Sequence, residues 1–272
     1  MAANPRSLQL TDRYSRQLAV TAERVARFAE RGWMLEPDDF DGSYRRWLSL
    51  VVPAAAQAQR QNVRVTQGYL NAFLLSETGR RTRLPVVDPN EFVGRSRDGR
   101  PLEEAWVSPP IKAKVAIGDG KSVEDASAVA QDAALKLVSV DVYHAARGPL
   151  AALTASVAAF TGYRRVTGGA ACGACLGAAD GTVFSSDEVF EIHANCDCVA
   201  EPVVGGVRDT ARRETGQEIF NRLPEAEQNA RLGEQTAEAV RSGVVTVGDL
   251  VGHSPMKTEA DWLSQKPLSE AV

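Results

Sequence analysis

Apolar positions fall at helical spacing near the start of the chain. Leu10, Tyr14, Leu18, Ala22 and Val25 recur every three or four residues with polar and charged residues between them, which predicts an amphipathic helix over 8–32. Gly32 is placed to end it. A second helical block is predicted over about 38–80. Asp38, Asp39 and Asp41 supply its N-cap and first-turn charge, and Pro53 is expected to kink or split it. Residues 82–120 change character. Pro85, Pro89, Pro101, Pro109 and Pro110 stand among Gly94, Gly99, Gly118 and Gly120, which reads as a linker or an extended arm with short helical pieces, with Trp106 and Val107 as anchors.

Ser122 with Asp125 resembles a capping box and opens a long Ala/Val-rich helix over 122–146. Pro149 is expected to start a short helix ending at Gly162. Short strands are expected at 164–167, 182–184 and 198–204, around a turn-rich, Cys-containing knuckle. A last helical region runs from Thr215 to Ser242 with interruptions at Pro224 and Gly233. The pattern divides the chain into an N-terminal helical region (1–81), the Pro/Gly-rich stretch (82–120), an α+β domain (121–252) and a polar tail (253–272). The expected fold is a mainly α N-terminal arm with a small α+β C-terminal domain built around a zinc knuckle.

The overall balance is ordinary for a globular protein: 44% hydrophobic, 24% charged, with a net charge of −4 over 272 residues. The average hides an asymmetry. Residues 1–100 hold 16 Arg and no Lys against 11 acidic residues, a net of +5; residues 101–272 hold 15 basic against 24 acidic residues, a net of −9. The Arg-only front half suits phosphate or an acidic partner surface, and equally a solvated helix face. No stretch approaches the roughly 20 apolar residues of a membrane span, and the first residues lack the apolar core of a secretory signal. The expectation is a protein made in a cytoplasm, where cysteines are seldom paired in disulfides.

All four cysteines nevertheless lie within 27 residues, with one of the three histidines among them: Cys172, Cys175, His193, Cys196 and Cys198, in the order C-x2-C, then H-x2-C-x-C. Two residues between ligands let one tight turn aim both at a single point. Four soft or borderline donors from two such turns suit tetrahedral Zn2+ in a closed, structural site. Cys198 is a fifth candidate, and the choice between it and Cys196 stays open. Catalytic readings find little here. A zinc deaminase needs H-x-E ahead of P-C-x-x-C, but His144 is followed by Ala145 and Ala146, and Ala171 precedes Cys172. H-E-x-x-H, P-loop and G-x-S-x-G motifs are absent. Asp187, Glu188 or Glu191 as a base near His193 would define a zinc hydrolase, yet a closed ligand set leaves no open metal position. A nucleic-acid-binding zinc module is the other alternative. Against it, Asp180, Asp187, Glu188, Glu191, Asp197 and Glu201 make the cysteine flanks acidic.

The stretch GYRRVTGGAACGACLGAADGTVFSSDEVFEIHANCDCVAEPVV, residues 162–204, resembles the Mu F-type minor head proteins, or head-morphogenesis proteins, of tailed phages, including actinobacterial ones. GQEIFNRLPEAEQNARLGEQTAEAVRSGVVTVGDLVG, residues 216–252, resembles the segment that follows the metal motif in that family. The likeness covers about 120–252. It departs from the family pattern at Ala194, where many relatives carry Pro, and at Asp197, where a basic residue is usual. The resemblance implies a structural virion protein, not an enzyme. Such a protein is built into the phage head near the portal, contacts portal, major capsid or scaffold protein, can be in indirect contact with packaged DNA, has no membrane partner, and passes through the host cytoplasm during assembly; whether the Arg-rich front half touches DNA is left open.

Overall fold

A computed structural model describes residues 4–167, 171–186, 198–205 and 213–250. The protein is mainly helical with one small three-stranded antiparallel sheet. It divides into two compact units, one of residues 9–153 and one of residues 1–8 with 154–272. No helix among the described residues is long and apolar enough to cross a membrane.

The unit of residues 9–153 is helical. Helix α1 (Pro5–Arg31) buries Tyr14, Leu18, Ala22, Val25 and Ala29 along the stripe its sequence pattern marks, while Leu10 is only half-buried. Helix α2 (Phe40–Thr78) starts at Asp39, whose carboxylate accepts from the Gly42 N–H at 2.9 Å. A side chain at Gly42 would collide with that carboxylate. Pro53 does not split α2, which runs unbroken through it. The physical reason lies in its position. Pro53 and Ser49 are both on the exposed side, so the Ser49 carbonyl that loses its helical donor can be hydrated instead.

The other helices of this unit are α3 (Leu102–Ala105), α4 (Ser108–Gly118), α5 (Val123–His144) and the start of α6 (Arg147–Ser156). Ser122 caps α5 as expected, accepting from the Asp125 N–H at 3.1 Å. The Pro/Gly-rich stretch carries α3 and α4 and is packed: Leu84, Leu102 and Trp106 are buried, whereas Val107 is half exposed. Ala113 and Ala116 of α4 meet Ala126 and Ala130 of α5, with Trp33 against them. Small side chains on both helices permit that close approach.

Side chains of α2 satisfy the carbonyls that two other helices leave without a helical donor at their C-terminal ends. Trp47 Nε1 donates to the Ala29 carbonyl of α1 at 2.8 Å. Gln59 Nε2 donates to the Asp141 carbonyl at 3.1 Å, and Asn62 Nδ2 to the Val142 carbonyl at 2.7 Å, both in the last turn of α5. Gln59 also donates to the Arg95 carbonyl at 2.8 Å and accepts from the Gly94 N–H at 2.7 Å, which ties the 94–101 turn to the same point. The Asp141 carboxylate receives Trp106 Nε1 at 2.6 Å and the Arg97 N–H at 3.0 Å. Burial pushes its carboxyl above the ordinary carboxylate range, opposed by the Trp106 and Arg97 donors. Tyr14 stacks on Tyr69 with ring centroids 4.2 Å apart, and its hydroxyl meets Thr66 Oγ1 at 2.9 Å.

The second unit contains the sheet. Strand β1 (Phe160–Val166) lies between β2 (Val183–Ser185) and β3 (Val199–Val204), antiparallel to both. The strands fall within a few residues of their expected positions. The short helix does not reach Gly162: α6 ends at Ser156, and Gly162 sits inside β1, paired with Ser185 on one side and Val203 on the other. A Cβ at Gly162 would lie 2.1 Å from the Phe184 carbonyl oxygen, so glycine here serves strand approach and not helix termination. Pro202 is accommodated because β3 is an edge strand.

Gln59→Leu is expected to unfold the helical unit more easily by about 2 kcal/mol, because it strips a partner from the buried Asp141 carbonyl and from a partly buried carbonyl and N–H. Urea denaturation followed by far-UV circular dichroism measures it. A cost below about 1 kcal/mol would mean that this network is not holding the 94–101 turn.

Candidate functional site

Of the five residues expected to ligate zinc, Cys172, Cys175 and Cys198 are described; His193 and Cys196 lie outside the described residues, as do Asp187, Glu188, Glu191, Asp197 and His253. No disulfide joins Cys172, Cys175 and Cys198 among themselves. Among the described residues no group of three or more His, Cys, Asp or Glu side chains is assembled to hold a metal. The zinc knuckle expected at the heart of the α+β domain is therefore not seen there, and the three described thiols make no site by themselves.

The C-x2-C segment opens a helix. Cys172 is the N-cap of α7 (Gly173–Ala178), and its sulfur accepts from the Cys175 N–H at 3.5 Å. Cys175 is buried and Cys172 partly so. This turn is held from outside by helices that follow β3 in the chain. Helices α8 (Gly216–Arg222), α9 (Glu225–Leu232) and α10 (Glu234–Arg241) follow β3. Arg231 of α9 donates to the Ala171 carbonyl at 2.9 Å, just ahead of Cys172. A Cβ on Gly173 would lie 2.5 Å from Leu232 Cδ2, and one on Gly216 would lie 1.7 Å from the Leu176 carbonyl oxygen. Both glycines are thus close-approach positions that let α8 and α9 press against the cysteine turn.

The α8–α10 segment has its own internal logic. Thr215 and Glu218 form a reciprocal capping box at the start of α8. Buried Gln228 closes the end of α8, donating to the Phe220 carbonyl at 2.9 Å and the Leu223 carbonyl at 3.1 Å. Arg241 of α10 then donates to Gln228 Oε1 at 3.1 Å. Gly233, with φ of +78°, makes the break between α9 and α10.

Cys198 is buried and enters β3 immediately before Val199. Val199 pairs with Val166, the last residue of β1. Because the two strands are antiparallel, the end of β1 and the start of β3 share one end of the sheet. Cys172 follows Val166 by six residues, and His193 precedes Val199 by six.

Glu201 is not the surface acid it was expected to be. It sits on β3 at 1% exposure, opposite Arg164 of β1. Arg164 Nε lies 3.3 Å from Glu201 Oε1, and Arg213 Nε donates to Oε2 at 3.0 Å. Two guanidinium groups on one carboxylate keep a buried charge compensated. Arg165, the next residue of β1, lies over the Phe184 ring of β2 at 5.8 Å. Of the adjacent Arg164 and Arg165, Arg164 thus bridges to an acidic residue. Arg213, Arg231 and Gln228 were missed by sequence reading. The one signal for the ion pair was a lone Glu in the otherwise apolar run VAEPVV facing Arg-Arg in the neighbouring strand. His144, one of the three histidines, is a buried helix residue with its ring edge-on to Tyr143.

No family model, curated protein or solved structure matches the chain.

Glu201→Gln should destabilise the sheet unit by about 3 kcal/mol, since it removes the charge from a buried carboxylate shared by buried Arg164 and partly buried Arg213. Chemical denaturation monitored by fluorescence reads the effect. A variant as stable as the wild type would show that the pair adds nothing to the fold.

Proposed function

We propose that the protein is a structural minor head protein of a tailed phage, with Zn2+ stapling its C-terminal domain. The supporting observation is the β1–β3 register. It puts Val166, six residues before Cys172, and Val199, six residues after His193, at one end of a small sheet. Zinc would be held by Cys172, Cys175, His193 and Cys196, with Cys198 as the alternative to Cys196. Bound there, the ion would supply cross-linking between two turns and no open coordination position. The sheet unit offers three short strands as its β core, the setting in which a metal staple contributes most.

The buttressing of the cysteine turn by Arg231, Leu232 and Gly216 favours the same reading. It gives a physical reason for the cysteine motif and the downstream LPEAEQNARLG segment to occur in one chain: the second packs on the first. A zinc hydrolase is less favoured, since a closed set of four protein ligands leaves no open metal position.

The particle itself provides the test. Mass spectrometry of purified phage particles from the host strain should find peptides of this chain at low copy beside portal and major capsid protein, and cross-linking should connect it to one of them. Particles that lack the chain altogether would refute the assignment.

A further inference from the structure

We propose that the solvent face of α1 binds the phosphate backbone of duplex DNA without reading its sequence. The proposal stands apart from the head-protein reading and rests on a different part of the molecule. In α1 the core side is set by Tyr14, Leu18, Ala22, Val25 and Ala29. At about 100° per residue, Arg13, Arg16, Arg24, Arg27 and Arg31 all project within roughly 80° of arc on the opposite side. All five are exposed. They run over 18 residues, which is about 27 Å of helix axis at 1.5 Å per residue.

The acids of the helix stand to one side of that sector. Glu23 pairs with Arg27 at 2.6 Å. Among the described residues, no carboxylate lies within ion-pair distance of Arg13, Arg16, Arg24 or Arg31. Only Val20 interrupts the row, with Phe28 at its margin, both partly exposed. That is too little apolar surface for the core of a protein interface. A row of positive charge is instead complementary to the closely spaced phosphates of a duplex, one per 3.4 Å of axis on each strand. The exclusive use of Arg over Lys adds forked, two-point contact to phosphate oxygens. The row contains no Asn or Gln that could read base edges except Gln17 at its border, so affinity without sequence choice is what the face can deliver.

The test uses the full-length protein and a short fluorescent duplex of random sequence, with anisotropy read over a salt series starting near 50 mM. Wild type should bind, with affinity falling steeply as salt rises. The quadruple variant Arg13→Gln, Arg16→Gln, Arg24→Gln, Arg31→Gln leaves the Glu23–Arg27 pair intact and touches no buried side chain, so its helix content by circular dichroism should be unchanged. Its affinity near 50 mM salt should fall about tenfold or more, and its slope of log K against log salt should shrink by about 3 to 4. The corresponding Lys variant should keep the wild-type slope. Equal affinity and slope for wild type and the Gln variant would overturn the proposal. So would absence of wild-type binding at the lowest salt, or displacement of the duplex by a poly-glutamate peptide of equal charge, which would mark the face as a site for acidic protein.

Discussion

The pairing of β1 with β3 is the constraint on which the C-terminal unit depends. Six residue pairs run from Phe160–Val204 to Val166–Val199, and in their middle Arg164 meets Glu201. That ion pair is buried, with Arg213 completing it, so a slip of β3 against β1 by one residue would put the two charges on opposite faces of the sheet. Apolar pairs at either end are interchangeable between neighbouring registers; a lone carboxylate facing a guanidinium is not. The register in turn decides what lies at the end of the sheet. The cysteine turn departs there on one side and Cys198 arrives on the other. Arg231, Leu232 and Gly216 then hold the departing turn in place from the α8–α9 side.

The helical unit is organised by a different device. Helix α2 carries polar side chains on its buried face, and Trp47, Gln59 and Asn62 spend their donors on the terminal carbonyls of α1 and α5. A helix end buried against another helix would otherwise leave those carbonyls without partners. The outcome is a unit in which helix termini are fixed by side chains from a single long element. Its solvent side is left to charge, and α1 shows this most clearly: core residues along one stripe, arginines along the other.

How much of this was legible in the sequence varied with the range of the interaction that decides it. The core stripe of α1 and the cap at Ser122 are local patterns and stood out. Pro53 in α2 does not split the helix, because the cost of the orphaned carbonyl depends on whether it meets water, and that is set by which side of the helix faces the core. Gly162 misled for a related reason. A glycine after a helix reads as a stop, whereas here it admits the neighbouring strand carbonyl, a contact made by Phe184 more than twenty residues away. Trp106 was recognisable as an anchor in the Pro-rich stretch, but its partner Asp141, thirty-five residues on, was not. In the candidate site the spacing of the cysteines was visible at once. The roles of Glu201, Arg213 and Gln228 were not, because isolated polar residues look like surface until the strand or helix end that buries them is in place.

The reading proposed for the C-terminal unit is that a metal ion would stitch together two short turns at one end of a small sheet. The most direct measurement is the zinc content of the full-length protein purified under reducing conditions and freed of loose metal, determined by elemental analysis against protein concentration. The account predicts one zinc per chain, lost together with the folded signature of the C-terminal unit when a strong chelator is added. Protein that is folded and metal-free would contradict it.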